Sequence, residues 1–202
     1  LQGVQVEGRA YAGGWWDWLT PFSVLTGVAL VIGYALLGAT WLVMKTEGEL
    51  RARAIAWGRR SLWFTGIGIV AVSLATPLVS PRIFEKWFSL PNLFFLMPIP
   101  LLTGLLFMAC LRALLKLGNG STRKEWVPFV STIGMFVLAF GGLAFSIFPY
   151  LVIDQITLWE AASAPGSLKI MLFGAAITLP VIIAYNIYSY RVFWGKTSEL
   201  NY

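Results

Sequence analysis

The stretch PFSVLTGVALVIGYALLGATWLVM, residues 21–44, runs without a charged side chain and stops at Lys45. At about 1.5 Å of rise per residue, a helix of this length spans the roughly 30 Å of bilayer hydrocarbon. One charge at the centre of such a helix costs about 2.5–3.5 kcal/mol on insertion scales, so a charge-free run closed by charges reads as a membrane crossing. Residues 61–80, 90–111, 126–152 and 170–190 repeat the pattern, and all charged side chains, 15 Lys or Arg and 9 Asp or Glu, fall between the five runs. The expected fold is an all-α integral membrane protein with five transmembrane helices.

Composition agrees: 58% of residues are hydrophobic, 12% are charged and the mean hydropathy is +0.75, far from soluble-domain averages. The net charge of +6 has a better explanation than nucleic acid, because the cations are unevenly divided between the two ends of the helices. Arg9, Arg82, Lys86 and Lys169 fall on the N-terminal side; Lys45, Arg51, Arg53, Arg59, Arg60, Arg112, Lys116, Arg123, Lys124, Arg191 and Lys196 fall on the other. The positive-inside rule then predicts a cytoplasmic C-terminus and an outward N-terminal side. Tryptophan prefers the headgroup level, and the ten tryptophans fit this register. Trp15, Trp16, Trp18, Trp87 and Trp159 lie at the outer ends, and Trp41, Trp57, Trp63, Trp126 and Trp194 at the inner ends. Residues 1–5 read as the tail of an earlier helix, and the chain as part of a longer protein.

Short connections predict antiparallel neighbours for the first four helices, a four-helix bundle, while the longer outer loop 153–169 sets the fifth helix apart as peripheral. Pro98, Pro100 and Pro180 each remove a backbone hydrogen bond and are expected to bend their helices; Pro128 falls in a first turn, where proline is harmless. Small residues four apart, Ala35 and Ala39, Ala71 and Ala75, Gly142 and Ser146, suit close helix approach. The alternative is a bent third helix lining a substrate path, as in repeat-built transporters. Against it, no ionisable residue lies beside Pro98 or Pro100.

Buried membrane chemistry is usually marked by an intramembrane acid, base or histidine. This chain has no histidine and one cysteine, Cys110, which rules out bis-histidine haem ligation and an internal disulfide. Met97, Met108, Met135 and Met171 are either core filling or cofactor neighbours. Asp17, Asp154 and Glu160 are either helix caps and solvated loop charges or contacts to a quinone headgroup or exiting proton. Asp17 lies close to the start of the first helix, where carboxylates are favoured. Residues 51–60 read as a basic solvated loop touching anionic lipid.

The run GGWWDWLTPFS (13–23), followed by GYALLGATWLVMKTEG (33–48), resembles the fifth helix and its approach in subunit II of cytochrome bd quinol oxidases, most closely the cyanide-insensitive branch. The likeness continues at FPYLV (148–152), TLWEAASAP (157–165) and residues 185–196. Ile153 and Asp154 stand where the family carries proline.

The resemblance implies the C-terminal half of subunit II. Residues 1–20 would be the outer approach, 21–152 the second four-helix bundle, 153–169 an outer loop, and 170–202 a peripheral helix with a cytoplasmic tail. It implies a bacterial inner membrane, partners in the haem-bearing subunit I and the N-terminal half of subunit II, and quinol oxidation coupled to reduction of O2 to water. Haem b and haem d would belong to subunit I. No catalytic residue, haem ligand or metal ligand is expected here, and the role would be structural, with a share in shaping oxygen access. Trp15, Trp16, Asp17 and Trp87 are the candidate contacts to a structural quinone or lipid, against the alternative of an ordinary aromatic belt. Half of a secondary transporter and a membrane assembly scaffold remain the competing functions.

Overall fold

The computed structural model describes residues 6–7, 10–153, 155–193 and 195–196. The expectations placed on Arg9, Asp154, Trp194 and residues 1–5 lie outside the described residues. A short antiparallel ribbon, β1 (Val6–Glu7) with β2 (Ala10–Tyr11), leads into helix α1 (Pro21–Lys45). Thr20 and Ser23 start that helix with a reciprocal capping box: Ser23 N–H donates to Thr20 Oγ1 at 3.1 Å and Thr20 N–H to Ser23 Oγ at 2.9 Å. Two donors that the first turn leaves without intrahelical partners are thereby satisfied. Asp17 is therefore not the cap of α1.

Helix α2 (Gly48–Val79) begins well before the apolar run at residue 61. The basic stretch 51–60, expected as a loop, is helical. Glu49 and Arg53 pair at 2.5 Å one turn apart, and Ala54, Ile55 and Gly58 are buried on the opposite side. Hydropathy marks where hydrocarbon begins, whereas the helix continues into the headgroup layer because one face still packs.

Where a loop was expected, α3 (Pro81–Phe88) forms, and α4 (Asn92–Leu96) then leads to α5 (Pro98–Gly118). At Met97, itself in right-handed helical conformation, α4 gives way to α5, and the two together make one span, Asn92–Gly118. Pro98 takes the first position of α5, where a missing N–H costs nothing, and Pro100 follows in the same turn. Helix α6 (Val127–Ile147) carries Pro128 in its first turn as expected. The segment after it holds a hairpin, β3 (Tyr150–Val152) with β4 (Ile156–Thr157), and the single turn α7 (Leu158–Ala161). Helix α8 (Pro165–Val192) passes through Pro180 without interruption.

α1 packs on α2, α2 on α5, α5 on α6 and α6 back on α1, closing a four-helix bundle. Its core joins Leu36, Val43, Ala54, Ile55, Leu62, Cys110, Leu114, Leu117 and Met135. Glycines open the closest approaches: a Cβ on Gly68 would lie 3.0 Å from Ala29 Cβ, and one on Gly134 would lie 2.7 Å from Leu106 Cδ1. No residue of α8 is buried, so it is a peripheral helix. Among the described residues five helices are long and apolar enough to cross a membrane, yet their most apolar windows are only 0 to 22% buried within the chain. Apolar surface so largely turned outward belongs in lipid, where it carries no hydration cost, and the chain is a multi-pass membrane protein.

Candidate functional site

At the Pro21 end of the bundle, Trp15, Trp16 and Asp17 share one tight turn. Gly14 N–H donates to Asp17 Oδ2 at 2.7 Å, and the Tyr11 hydroxyl lies 2.8 Å from Gly14 O and 3.2 Å from Asp17 Oδ2. Asp17 thus closes its own turn, as Asx residues do. Partial desolvation first, then the adjacent Asp17, holds the Tyr11 hydroxyl above its usual range. The turn turns its indoles outward: Trp15 is 94% exposed, and Trp16 stacks on Trp18 with ring centroids 6.4 Å apart. Beside Trp18 a shallow hollow of about 450 Å³ follows α1 from Leu19 to Ile32, apolar except for Ser23.

Trp87 sits elsewhere, on α3 against the end of α6. Its Nε1 donates to Ser146 Oγ at 2.9 Å. Next to it, Lys86 Nζ donates to Phe145 O at 2.6 Å and also to Phe148 O, and stands over the Phe145 ring. The last carbonyls of a helix lack intrahelical donors and carry its negative dipole end, so an ammonium there completes α6. Burial of the amine, and secondly the charge of Arg82, holds Lys86 below the usual lysine range. The Arg82 guanidinium lies 4.0 Å from the Tyr150 ring centroid, a cation–π contact. Sequence reading missed Lys86 and Arg82, because only the folded chain brings α3 to the end of α6.

Glu160 closes a second capping box: Thr157 N–H and Oγ1–H donate to Glu160 Oε2 at 2.8 and 2.9 Å. The backbone and hydroxyl of Thr157 hold this carboxyl below the usual carboxylate range. The described contacts of Trp15, Trp16 and Asp17 lie within residues 11–19 and the hydrogen bond of Trp87 on α6, so the four candidates form two places.

At the Lys45 end, Glu125 gathers charges from three segments. Arg51 Nη2 lies 3.0 Å from Oε1, and Lys196 Nζ lies 2.6 Å from Oε2 and 3.6 Å from a Glu47 carboxylate oxygen. Arg51 also donates to Ser121 O at 3.0 Å, and Lys45 to the carbonyls of Phe193 and Gly195 at 3.3 Å. Together these contacts tie the end of α8 to a bundle that the helix itself barely touches.

The donor set offers no bis-histidine ligation of a haem. The chain has no histidine; Met135 is packed in the core, Met97 and Met171 are exposed, and Cys110 is buried with its Sγ 3.7 Å from Pro128 O. Among the described residues no three of His, Cys, Asp or Glu converge.

Comparison with known proteins gives one answer. The family described as cytochrome bd terminal oxidase subunit II matches residues 1–193. The probable cytochrome oxidase subunit 2 of Haemophilus influenzae is 26% identical over 97% of this chain and 59% of its own length. The cytochrome bd-I ubiquinol oxidase subunit 2 of Escherichia coli K12 is 25% identical over 94% and 56%. The cytochrome bd ubiquinol oxidase subunit 2 of Bacillus subtilis is 24% identical over 91% and 52%. The chain spans about half the length of the curated relatives it matches. With a match that runs from residue 1 to the end of the fifth apolar helix, this chain belongs to the cytochrome bd terminal oxidase subunit II family.

Proposed function

We propose that this chain is the C-terminal half of subunit II in a terminal quinol oxidase, a helical wall that ligates no haem and stabilises the haem-bearing subunit I. The observation that carries the reading is the pairing of family with donor set: a member of a haem oxidase family without a histidine. The assembled reaction oxidises two quinols and reduces one O2 to two waters, with four electrons and four protons transferred. Haems b and d belong to subunit I in this reading, and this chain supplies the second bundle of subunit II. The excess of Lys and Arg at the Lys45 end supports an orientation with that end in the cytoplasm, and family membership supports a bacterial inner membrane.

Within that assembly the outward apolar faces exclude water and border oxygen access. Trp15, Trp16 and Asp17, beside the hollow along α1, form the candidate contact for a structural quinone or a lipid tail. Trp87, its N–H already given to Ser146, offers only a ring face. The test is purification through this chain in mild detergent with mass-spectrometric identification of every band. A haem protein in equal amount supports the reading, and a chain without such a partner overturns it.

A further inference from the structure

We propose that the Pro21 half of the bundle is a hinged cleft between two helix pairs, α1 with α2 and α5 with α6, and that α3 is the strap that closes it. Within each pair the helices stay close toward both ends. A Cβ on Gly58 would lie 3.8 Å from Ala39 Cβ, and one on Gly68 would lie 3.0 Å from Ala29 Cβ. One on Gly134 would lie 2.7 Å from Leu106 Cδ1, and one on Gly142 would lie 3.8 Å from Ile99 Cδ1. Contacts that join one pair to the other run instead from the middle of the bundle toward the Lys45 end. A Cβ on Gly33 would meet Phe136 Cζ at 2.8 Å and one on Gly66 would meet Phe107 Cε2 at 2.7 Å. Nearer Lys45, Trp41 packs on Phe129 with ring centroids 5.0 Å apart.

Burial divides the bundle at the same level. Leu36, Leu62, Cys110 and Met135, one from each helix, are buried in the core. Seven residues further toward the Pro21 end, Ala29, Ile69, Thr103 and Gly142 are only half-buried. A step of seven keeps nearly the same face of a helix, so the inward face of all four helices is packed in one half and loose in the other. Burial returns where α3 crosses from α2 to α6: Thr76, Ile83 and Ser146 are buried there. The Trp87 bond to Ser146 and the Lys86 bonds to the Phe145 and Phe148 carbonyls join the first pair to the second across that end.

Thr65 marks the inner edge of the cleft. Thr40, Thr76 and Thr132 give their hydroxyl protons to carbonyls one turn back at 2.9, 2.7 and 2.8 Å. The Thr65 hydroxyl, on a residue only 7% exposed, has no hydrogen-bond partner among the described residues. An unpaired buried hydroxyl is unfavourable, and separation of the pairs gives it room to turn onto a carbonyl of its own helix or onto water. The closed form therefore carries a penalty at Thr65, and the α3 contacts act against it. Such opposed terms set the populations of two arrangements of packed helices. The hinge belongs to the membrane-spanning fold and stands apart from the reaction of the assembly.

The test is the distance between spin labels in the protein purified with whatever subunits accompany it and held in lipid nanodiscs. Leu74→Cys with Phe140→Cys reads the cleft half, and Trp57→Cys with Val130→Cys reads the core half, all at exposed positions. The unsubstituted protein, whose one cysteine is buried, gives the background. A second, longer distance is expected in the cleft half and a single distance in the core half. Trp87→Phe weakens the strap by one hydrogen bond and is expected to raise the longer population about fivefold; Thr65→Val removes the penalty of the closed form and is expected to lower it about fivefold. If Trp87→Phe does not fold, Lys86→Gln carries the strap test in the same direction. Any response in which the strap and Thr65 substitutions fail to move the cleft-half population in opposite directions overturns the proposal. Equal broadening of both halves overturns it too, because it means general loosening of the bundle.

Discussion

Trp87 Nε1 donates to Ser146 Oγ at 2.9 Å, while Ser146 donates its own proton to Gly142 O at 2.7 Å. This relay docks α3 on α6 through the tryptophan expected at a lipid or quinone contact. Ser146→Ala leaves the indole N–H unpaired at a half-buried position and is expected to cost about 1–3 kcal/mol. Trp87→Phe leaves no orphan, because Ser146 keeps Gly142. A double-mutant cycle by thermal unfolding in detergent is expected to show about 1 kcal/mol of coupling.

Glu125 holds Arg51 and Lys196 together with only 11% of its side chain exposed. Glu125→Ala strands the Arg51 guanidinium and is expected to cost about 3 kcal/mol. Lys196→Ala, at the more open edge of the cluster, is expected to cost about 1 kcal/mol or less. In both variants limited proteolysis should cut faster just after α8, since the clasp is what holds that segment.

The Thr157–Glu160 box should weaken with acid. Because the folded chain holds the Glu160 carboxyl below its usual range, its contribution is complete above that range and is lost as pH falls through the lower folded value. Amide exchange at α7 is therefore expected to accelerate in acid. Glu160→Gln, which keeps an acceptor and removes the titration, should abolish that pH dependence.

Gly68 brings α1 and α2 together, and a Cβ there would also lie 3.5 Å from the Ala29 Cα, which no side-chain rotation can move. Gly68→Leu is expected to cost about 1–3 kcal/mol through helix separation. Gly104→Leu, with open space around it, serves as the control expected to leave the unfolding temperature unchanged.

The helices were legible in the sequence because hydrocarbon imposes one rule, no charge in the middle, and the five runs obey it. Their ends were less legible. Residues 48–60 are charged yet helical, since Ala54, Ile55 and Gly58 still bury one side. The passage from α4 to α5 at Met97 depended on proline position within a turn. Lys86 on the carbonyls of Phe145 and Phe148, and Lys196 on Glu125, join residues 59 and more positions apart; no local pattern announces such pairs. Small-residue spacing located Ala39 and Ser146, both buried, but not Gly68 or Gly134, whose partners are set by the register of the bundle.

The most direct measurement is a dithionite-reduced minus oxidised visible spectrum of the complex purified gently through this chain. It is to be recorded for the unsubstituted protein and for Met135→Leu, which removes the core-buried thioether. Bands of haem b and haem d, unchanged in position and intensity per complex by the substitution, are the predicted result. A colourless preparation would contradict membership of a working oxidase, and a shifted band in Met135→Leu would contradict the assignment of every haem ligand to the partner.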